Sequence, residues 1–280
     1  MKDKLLKELI ATGIAEDIGD GDHTSLACIP ENAAGSAKLI IKQKGVLAGV
    51  EIAEKVFSII DSSVNFKPFI KDGAAVEYGD IAFHVSGRTQ SILKSERLVL
   101  NIMQRMSGIA TKTREYTDAL IGLETKILDT RKTSPGLRFL EKEAVRIGGG
   151  VNHRMGLYDM IMLKDNHIDF AGGIEKAILL TNDYLRRNNL KLKIEIEARN
   201  INDVKTIIAT GGIDRIMLDN FTIADLKIAV NLINGKYETE ASGGITLETI
   251  RSYAECGVDF ISVGALTHHV KSMDMSLKAF

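Results

Sequence analysis

Residues 193–264 read KIEIEARNINDVKTIIATGGIDRIMLDNFTIADLKIAVNLINGKYETEASGGITLETIRSYAECGVDFISVG, and the spacing within this stretch predicts the fold. Four short apolar runs end at Glu197, Asp219, Ser242 and Gly264, so that successive ends lie 22, 23 and 22 residues apart. A step of that size accommodates one strand, one loop and one covering helix. Repeated units of this kind give parallel strands, and closure into an α/β barrel removes the open edges of the sheet.

Two earlier apolar runs extend this series toward the N-terminus. The six predicted strands are Lys126–Asp129, Met160–Leu163, Lys193–Glu197, Arg215–Leu218, Glu238–Ala241 and Phe260–Val263. An open, doubly wound sheet is the alternative to a barrel. No glycine-rich dinucleotide-binding fingerprint follows the first of these strands, which weakens that alternative.

The first part of the chain has a different pattern. Helical spacing at Leu5–Ile14 and a polar stretch at Asp20–Ser25 precede extended or amphipathic segments at Ala37–Lys42, Val46–Val50, Glu51–Ile60, Asn65–Ile70 and Tyr78–Ser86. This order predicts an α+β domain with hairpins. A long helix begins near Ser91, in which one apolar stripe is formed by Leu98, Ile102, Met106 and Ile109.

The composition excludes several classes of protein. The 280 residues include 36 Lys and Arg against 37 Asp and Glu, a formal net charge of −1. This balance argues against partners such as nucleic acid or an anionic membrane, because no net positive field attracts either of them. A hydrophobic content of 45% is ordinary for a globular protein with a real core.

The cysteines and the N-terminus indicate a cytoplasmic protein. Cys28 and Cys256 have no Cys or His at metal-binding spacing, and both are expected to be reduced and buried. The first 25 residues lack the apolar segment of a signal peptide. No stretch of the sequence approaches the length of a membrane span.

Each predicted strand ends in a polar, charged or glycine-containing turn. One Asp in such a place is usually a helix N-cap, but six such ends together indicate one shared site, because the carboxyl ends of parallel strands meet. Cations are concentrated in this part of the chain, at Arg131, Lys132, Arg138, His153, Arg154 and Lys164. Arginine and lysine in one pocket favour a ligand with several negative charges.

Two carboxylates and two glycine-containing loops complete the predicted site. Glu197 and Asp219 end successive strands, and such a pair can serve in acid–base chemistry or hold Mg²⁺ beside a pyrophosphate. The last two strands end in Ser242-Gly243-Gly244 and Val263-Gly264-Ala265. A tight turn explains either loop alone. In barrels, however, such loops present backbone N–H groups to a phosphate.

The motifs at these strand ends resemble those of the quinolinate phosphoribosyltransferase family. They are DTRKTSPGLR at 129–138, GGGVNHR at 148–154 and LKDNHI at 163–168. The likeness extends over nearly the whole chain, with EDIG at 16–19, SGIAT at 107–111, LDNF at 218–221 and EASGGI at 240–245.

The resemblance implies a step of de novo NAD biosynthesis. Quinolinate and phosphoribosyl pyrophosphate give nicotinate mononucleotide, pyrophosphate and CO₂, with Mg²⁺ as the cofactor. It also implies an N-terminal α/β sandwich domain and an incomplete α/β barrel of seven strands. These correspond to residues 1–110, joined by the C-terminal tail 268–280, and to residues 111–267. Members form homodimers with shared active sites, or higher oligomers.

The resemblance further implies roles for individual residues. Quinolinate binds among Arg131, His153, Arg154 and Lys164, together with Arg97 from the partner subunit, and Thr130 is a further substrate-binding residue. Lys132 lies between the two substrates and is catalytic, with Glu197 and Asp219, which approach the ribose and the metal. The 5′-phosphate binds at the loops Ser242–Gly244 and Val263–Ala265.

Two other readings fit parts of the sequence. A paralogue associated with molybdate transport shares the motif at 129–133, but the complete set of cations and the N-terminal covering domain favour the quinolinate enzyme. A non-catalytic phosphosugar-binding barrel would lack some of the residues Arg131, Lys132, Lys164, Glu197 and Asp219, and none of them is missing.

Overall fold

The computed structural model describes residues 2–280, which form two compact units. Unit 1 comprises the residues up to 114 together with 133–149 and 267–280, and unit 2 comprises residues 115–132 and 150–266. Residues 133–149, which the sequence-based division assigned to the barrel, cluster with unit 1. No helix within residues 2–280 has both the length and the apolar character that a membrane crossing requires.

Eleven helices and twelve strands are formed by residues 2–280. The helices are α1 (Lys2–Ile18), α2 (His23–Cys28), α3 (Val50–Ile60), α4 (Thr89–Asp118), α5 (Arg138–Ile147), α6 (Asp165–Ala171), α7 (Ile174–Arg187), α8 (Ile201–Thr210), α9 (Ile223–Ile233), α10 (Ile250–Ala254) and α11 (Ala265–His268). The strands are β1 (Ala34–Ile41), β2 (Gly45–Val46), β3 (Asn65–Pro68), β4 (Ala75–Val76), β5 (Ile81–Arg88), β6 (Lys126–Leu128), β7 (Ile161–Leu163), β8 (Ile194–Ala198), β9 (Arg215–Asp219), β10 (Glu238–Ser242), β11 (Phe260–Ser262) and β12 (Met275–Ala279).

Unit 1 is built on an antiparallel sheet with the strand order β12-β1-β5-β3. The C-terminal strand β12 pairs along β1 from Ala37–Ala279 to Ile41–Met275, and so completes an edge of this sheet. Three phenylalanines form an aromatic cluster of the core, in which the ring centroids of Phe66 and Phe83 lie 4.5 Å apart. The apolar side of α3 contributes the third ring, Phe57, which is fully buried.

The structure confirms the long helix of unit 1 and corrects three details around it. Ile102, Met106 and Ile109 of α4 are buried, as their helical spacing predicts. The polar stretch near residue 22 contains a short helix, α2, which Asp22 caps by accepting the Ser25 N–H. This helix has only six residues, too few for the helical repeat of apolar residues to be visible in the sequence.

The other two corrections concern a segment and a side chain. Residues 46–50 are not extended throughout, because Gly49 turns with φ +100° and α3 starts at Val50. Cys28 is exposed, whereas Cys256 is buried as expected. Cys28 ends the short helix α2, in which only Ser25 is buried, so no core forms around the thiol.

Unit 2 contains a parallel sheet with the strand order β6-β11-β10-β9-β8-β7. These are the six strands predicted from the sequence, with ends that differ by one residue at most. Val151, which belongs to none of these strands, forms a single-residue parallel bridge with Leu128 of β6. It thereby supplies a seventh strand position beside the six strands. Two of the helices in unit 2, α8 and α9, begin at side-chain caps. Asn200 accepts two backbone N–H groups of α8, and Thr222 accepts one of α9.

Candidate active site

Oppositely charged side chains meet at the carboxyl ends of β7, β8 and β9. Lys164 follows β7, and its Nζ lies 3.6 Å from Oε2 of Glu197 in β8. Burial raises the pKa of Glu197, and the negative charge of Asp219 adds to this rise while Lys164 opposes it. The structure therefore brings together the three residues that the sequence placed at strand ends.

The loop after β10 lies against the turn after β9. The Asn220 N–H donates to the Ser242 carbonyl at 2.9 Å, and Asn220 Nδ2 donates to Asp219 Oδ2 at 2.5 Å. Gly243 has φ +103°, and a Cβ at this position would overlap Oδ1 of Asn220. Glycine alone permits this close approach. The loop Ser242–Gly244 is thereby held beside Asp219.

The other glycine-containing loop lies next to the segment that carries Arg131 and Lys132. The Val263 N–H donates to the Leu128 carbonyl at 3.0 Å, which places the Val263–Ala265 turn beside the end of β6. The Lys132 N–H donates to Thr130 Oγ1 at 3.1 Å, and both basic side chains are exposed. The carboxyl ends of the strands of unit 2 thus carry Thr130, Arg131, Lys132, Lys164, Glu197, Asp219 and the two glycine-containing loops.

A completely buried carboxylate joins two of the sequence motifs. Oδ1 of Asp129 accepts the His153 N–H at 2.8 Å, and Oδ2 accepts Asn152 Nδ2 at 2.7 Å. Charge-assisted bonds of this kind are among the stronger ones in a protein interior. Asp129 therefore fixes the segment containing His153 and Arg154 to the end of β6.

The His153 imidazole is buried among charged side chains in the interior of unit 2. Its Nε2 lies 3.0 Å from Oε2 of Glu195 and 3.4 Å from Oε2 of Glu240. Burial alone lowers the pKa of His153, but the hydrogen bonds and negative charges of these carboxylates outweigh it and raise the pKa to about 9. Burial, reinforced by Glu240, raises the pKa of Glu195 to about 7.

The guanidinium group of Arg154, the residue after this histidine, feels the positive charge of Arg131. Arg154 is half-buried, and its Nη1 donates to the Met160 carbonyl at 3.1 Å. Burial lowers the pKa of Arg154, and the positive charge of Arg131 lowers it further. Neighbouring cations that repel each other are typical of a site that binds an anion.

Arg97 and Arg138 belong to unit 1. Arg97 is exposed on α4 and lines a cavity of about 380 Å³, together with Glu16 and Asp17 of α1. Arg138, at the start of α5, donates from Nε to Thr133 Oγ1 at 2.9 Å. Of the cations predicted from the sequence, these two therefore belong to unit 1, and the others belong to unit 2.

A buried ion pair organises the same unit. Arg105 of α4 donates through Nε and Nη2 to Oε1 of Glu141, at 3.1 and 2.8 Å, and Oε2 accepts the Ser134 N–H at 3.2 Å. Arg105 Nη2 also donates to the Thr267 carbonyl at 2.7 Å. This network explains why residues 133–149 cluster with unit 1.

Two family models cover the chain almost completely. The model described as quinolinate phosphoribosyl transferase, N-terminal domain, matches residues 22–107, and the C-terminal domain model matches residues 109–278. The chain belongs to the quinolinate phosphoribosyltransferase family.

Individual members of this family are similar over nearly their full length. The chain is 45% identical to quinolinate phosphoribosyltransferase [decarboxylating] 2b of Nicotiana tabacum, over 98% of this chain and 82% of that protein. It is 43% identical to the probable nicotinate-nucleotide pyrophosphorylase of Bacillus subtilis, over 97% and 92%. The solved structure of NadC from Streptococcus pyogenes superposes with a TM-score of 0.92 at 37% identity, covering 98% of this chain and 95% of that one.

Several charged residues of this quinolinate phosphoribosyltransferase family member were not selected as site residues from the sequence. They are Asp129, Glu195, Arg215 and Glu240 in unit 2, and Arg105 and Glu141 in unit 1. A signal for part of this set was available in β8 and β10. Charges at alternate positions of a strand share one face, and both Glu195 with Glu197 and Glu238 with Glu240 have this spacing.

Proposed function

We propose that this chain transfers the phosphoribosyl group of phosphoribosyl pyrophosphate to quinolinate, with loss of CO₂, to give nicotinate mononucleotide and pyrophosphate. The observation that carries the proposal is the set of cations at the strand ends of unit 2: Arg154 is half-buried and held at the Met160 carbonyl, it feels the positive charge of Arg131, and Lys164 lies 3.6 Å from Glu197. A dianion relieves the repulsion between two such cations, and quinolinate carries two carboxylates.

Quinolinate is bound by the positive side of the site. Arg131 and Arg154 each pair with a carboxylate, and Lys164 and Thr130 supply further donors around the ring. His153 lies behind Arg154, with both ring nitrogens engaged by Glu195, Glu240 and the Arg154 N–H. Burying a dianion requires roughly two compensating positive charges with good geometry, because an unpaired buried charge is costly. This requirement explains why cations concentrate in a chain whose net charge is only −1.

Phosphoribosyl pyrophosphate occupies the other side of the site. The backbone N–H groups of the Ser242–Gly244 and Val263–Ala265 loops bind its 5′-phosphate, and Lys132 lies between the two substrates. Glu197 and Asp219 fit a Mg²⁺ ion, because both offer carboxylate oxygens and repel each other without a cation. When bound, Mg²⁺ neutralises negative charge on the pyrophosphate.

The reaction needs no group beyond these. The lone pair of the quinolinate ring nitrogen forms a bond to the anomeric carbon while the bond to the pyrophosphate oxygen breaks. Lys132 stabilises the departing negative charge, and the carboxylates stabilise positive charge that develops on the ribose. The resulting pyridinium accepts the electron pair of the adjacent carbon–carboxylate bond as CO₂ leaves, and a proton then adds to that carbon.

An assay with two acceptor substrates tests the proposal. Pyrophosphate and CO₂ are measured with quinolinate and, separately, with nicotinate, which lacks the second carboxylate. We expect turnover with quinolinate and a kcat/KM at least about 100-fold lower with nicotinate, since the site is left with an unmatched cation. Equal turnover of both acids, or none with quinolinate, would contradict the proposal.

The active enzyme is a cytoplasmic homodimer, or a higher oligomer built from such dimers, in which Arg97 of one subunit completes the site of the other. The exposure of Arg97 beside a cavity of unit 1 supports this arrangement. Mixing inactive Arg97→Ala and Lys132→Ala chains in equal amounts should restore about one quarter of wild-type activity, because half of the dimers are mixed and each has one intact site. Absence of complementation would argue against a shared site.

A further inference from the structure

Four charged side chains lie close together in the interior of unit 2, below the strand ends. Glu195 of β8 and Glu240 of β10 are completely buried, and Arg215 of β9 lies between these strands. Arg215 Nη1 is 3.2 Å from Glu240 Oε2 and 3.9 Å from Glu195 Oε2. His153 contacts both carboxylates through Nε2. We call these four residues the buried charge cluster.

The buried charge cluster has donor types that could hold a metal ion, but its own arginine already supplies the cation. His153, Glu195 and Glu240 place their ligand atoms within 4.8 Å of one another. Arg215 is fixed in the same space, because Glu238 accepts its Nη2 at 2.9 Å and the Phe260 ring lies 4.1 Å from its Cζ. The charged groups that contact the two carboxylates are therefore Arg215 and His153, and Ser262 adds a hydrogen bond to Glu240.

The imidazole of His153 connects the cluster to the anion site. Its Nε2 faces the two carboxylates, and its Nδ1 accepts the Arg154 N–H at 2.6 Å. Nδ1 can accept this N–H only in the neutral ring, whereas the Nε2 proton faces the carboxylates in both the neutral and the charged ring, so the contact with the carboxylates holds the ring in either state. The ring thus contacts the backbone nitrogen of Arg154, which is two bonds from Cβ of the Arg154 side chain.

We propose that Glu195 and Glu240 are positioning residues for the dianion site, which act by holding the His153 ring and, through it, Arg154. This inference rests on the proposed function, because it assigns the effect to the quinolinate side of that site. Burying two carboxylates is costly, and replacing a buried ionic cluster with apolar residues is often neutral or stabilising. A role in stability alone would therefore not require Glu240.

The contacts of the buried charge cluster predict which substrate binds more weakly when one of its carboxylates is lost. Glu240 and Glu195 contact His153 and Arg215, and no contact described for residues 2–280 joins either of them to the Ser242–Gly244 loop. Glu240 also accepts a hydrogen bond from Ser262, beside the Val263–Ala265 loop, and the side-chain oxygen of a glutamine at position 240 can still accept it. Loss of one carboxylate should therefore weaken the binding of quinolinate, while the binding of phosphoribosyl pyrophosphate should stay nearly unchanged. A general loss of folding would weaken both equally.

The test compares Glu240→Gln with Glu238→Gln, the same change two residues away on β10. Glu238 also contacts Arg215, but its side chain is 37% exposed at the start of β10. Glu238→Gln therefore shows how much of any effect comes from disturbing Arg215 alone. We expect Glu240→Gln, and likewise Glu195→Gln, to raise the KM for quinolinate roughly 10-fold or more, with the KM for phosphoribosyl pyrophosphate changed less than about twofold. Glu238→Gln should change neither KM more than about threefold.

A second arm uses the Arg154→Ala background and separates an effect through Arg154 from any other effect of the buried variants. If Glu240 acts through Arg154, adding Glu240→Gln to Arg154→Ala should raise the KM for quinolinate by less than about twofold. Additive effects, or equal effects on the two substrates, would overturn the inference while leaving the proposed function intact. A wild-type chain that neither binds nor turns over quinolinate would refute the proposed function, and this inference with it.

Discussion

Neutralising the Glu141 carboxylate should lower the free energy of unfolding more than neutralising most other side chains of unit 1. It is fully buried and accepts three hydrogen bonds, two from Arg105 and one from the Ser134 N–H. Glu141→Gln keeps the size of the side chain but leaves the guanidinium without its counter-ion. Removing one partner of a buried ion pair costs about 3–5 kcal/mol of unfolding free energy.

The expected loss of unfolding free energy for Glu141→Gln lies at or just below the lower limit of that range. The Arg105 side chain is 27% exposed, and it keeps its bond to the Thr267 carbonyl, so solvent and this carbonyl partly compensate the charge. The glutamine oxygen still accepts one hydrogen bond. We therefore expect a loss of about 2–3 kcal/mol, whereas an exposed pair contributes about 0–1 kcal/mol.

Urea unfolding followed by far-ultraviolet circular dichroism measures this difference. The control is Glu143→Gln on the same helix, which removes the Arg146–Glu143 pair, an i,i+3 pair whose arginine is largely exposed. It should cost less than about 1 kcal/mol. A loss below about 1 kcal/mol for Glu141→Gln, or an equal loss for the control, would refute the reasoning. The double variant Arg105→Met/Glu141→Gln should then be less impaired than additivity requires, because the unpaired charge is gone.

Three further predictions concern the site and the stability of unit 1. Lys132→Ala should lower kcat at least about 100-fold with an unchanged circular dichroism spectrum; near-normal turnover would remove Lys132 from the mechanism. Gly243→Ala should raise the KM for phosphoribosyl pyrophosphate by about 10-fold and spare quinolinate, since the added methyl group displaces the Ser242–Gly244 loop; unchanged kinetics would exclude that loop. Hydrogen bonds from Ser63 and Ser91 lower the pKa of Asp61 to about 2, so its stabilisation is present above its usual pKa of 3.8 and is lost as the pH falls toward 2. The difference in Tm between wild type and Asp61→Asn should therefore shrink between pH 6 and pH 2.5, and a constant difference would contradict this.

The repeat of strands could be predicted because each strand end depends on nearby residues. The apolar runs that became β8, β9 and β10 have sharp ends in polar or glycine residues, and their spacing is set by the length of one β–α unit. The stripe on α4 was equally clear, because helical periodicity persists over several turns. The helix α2 could not be predicted in this way, since it has too few residues to show a period.

The sequence motifs determined the family and the set of candidate site residues, including Arg131, Lys132, Glu197 and Asp219. Tertiary structure alone decided which charged residues lie behind them. Glu195, Arg215 and Glu240 are far apart in the chain and meet only because parallel strands place them side by side in one interior. The same holds for Arg105 and Glu141, which are 36 residues apart. Local sequence fixes where a strand or helix begins and ends. The energy of a buried charge depends on its neighbours in space, and those follow only from the fold.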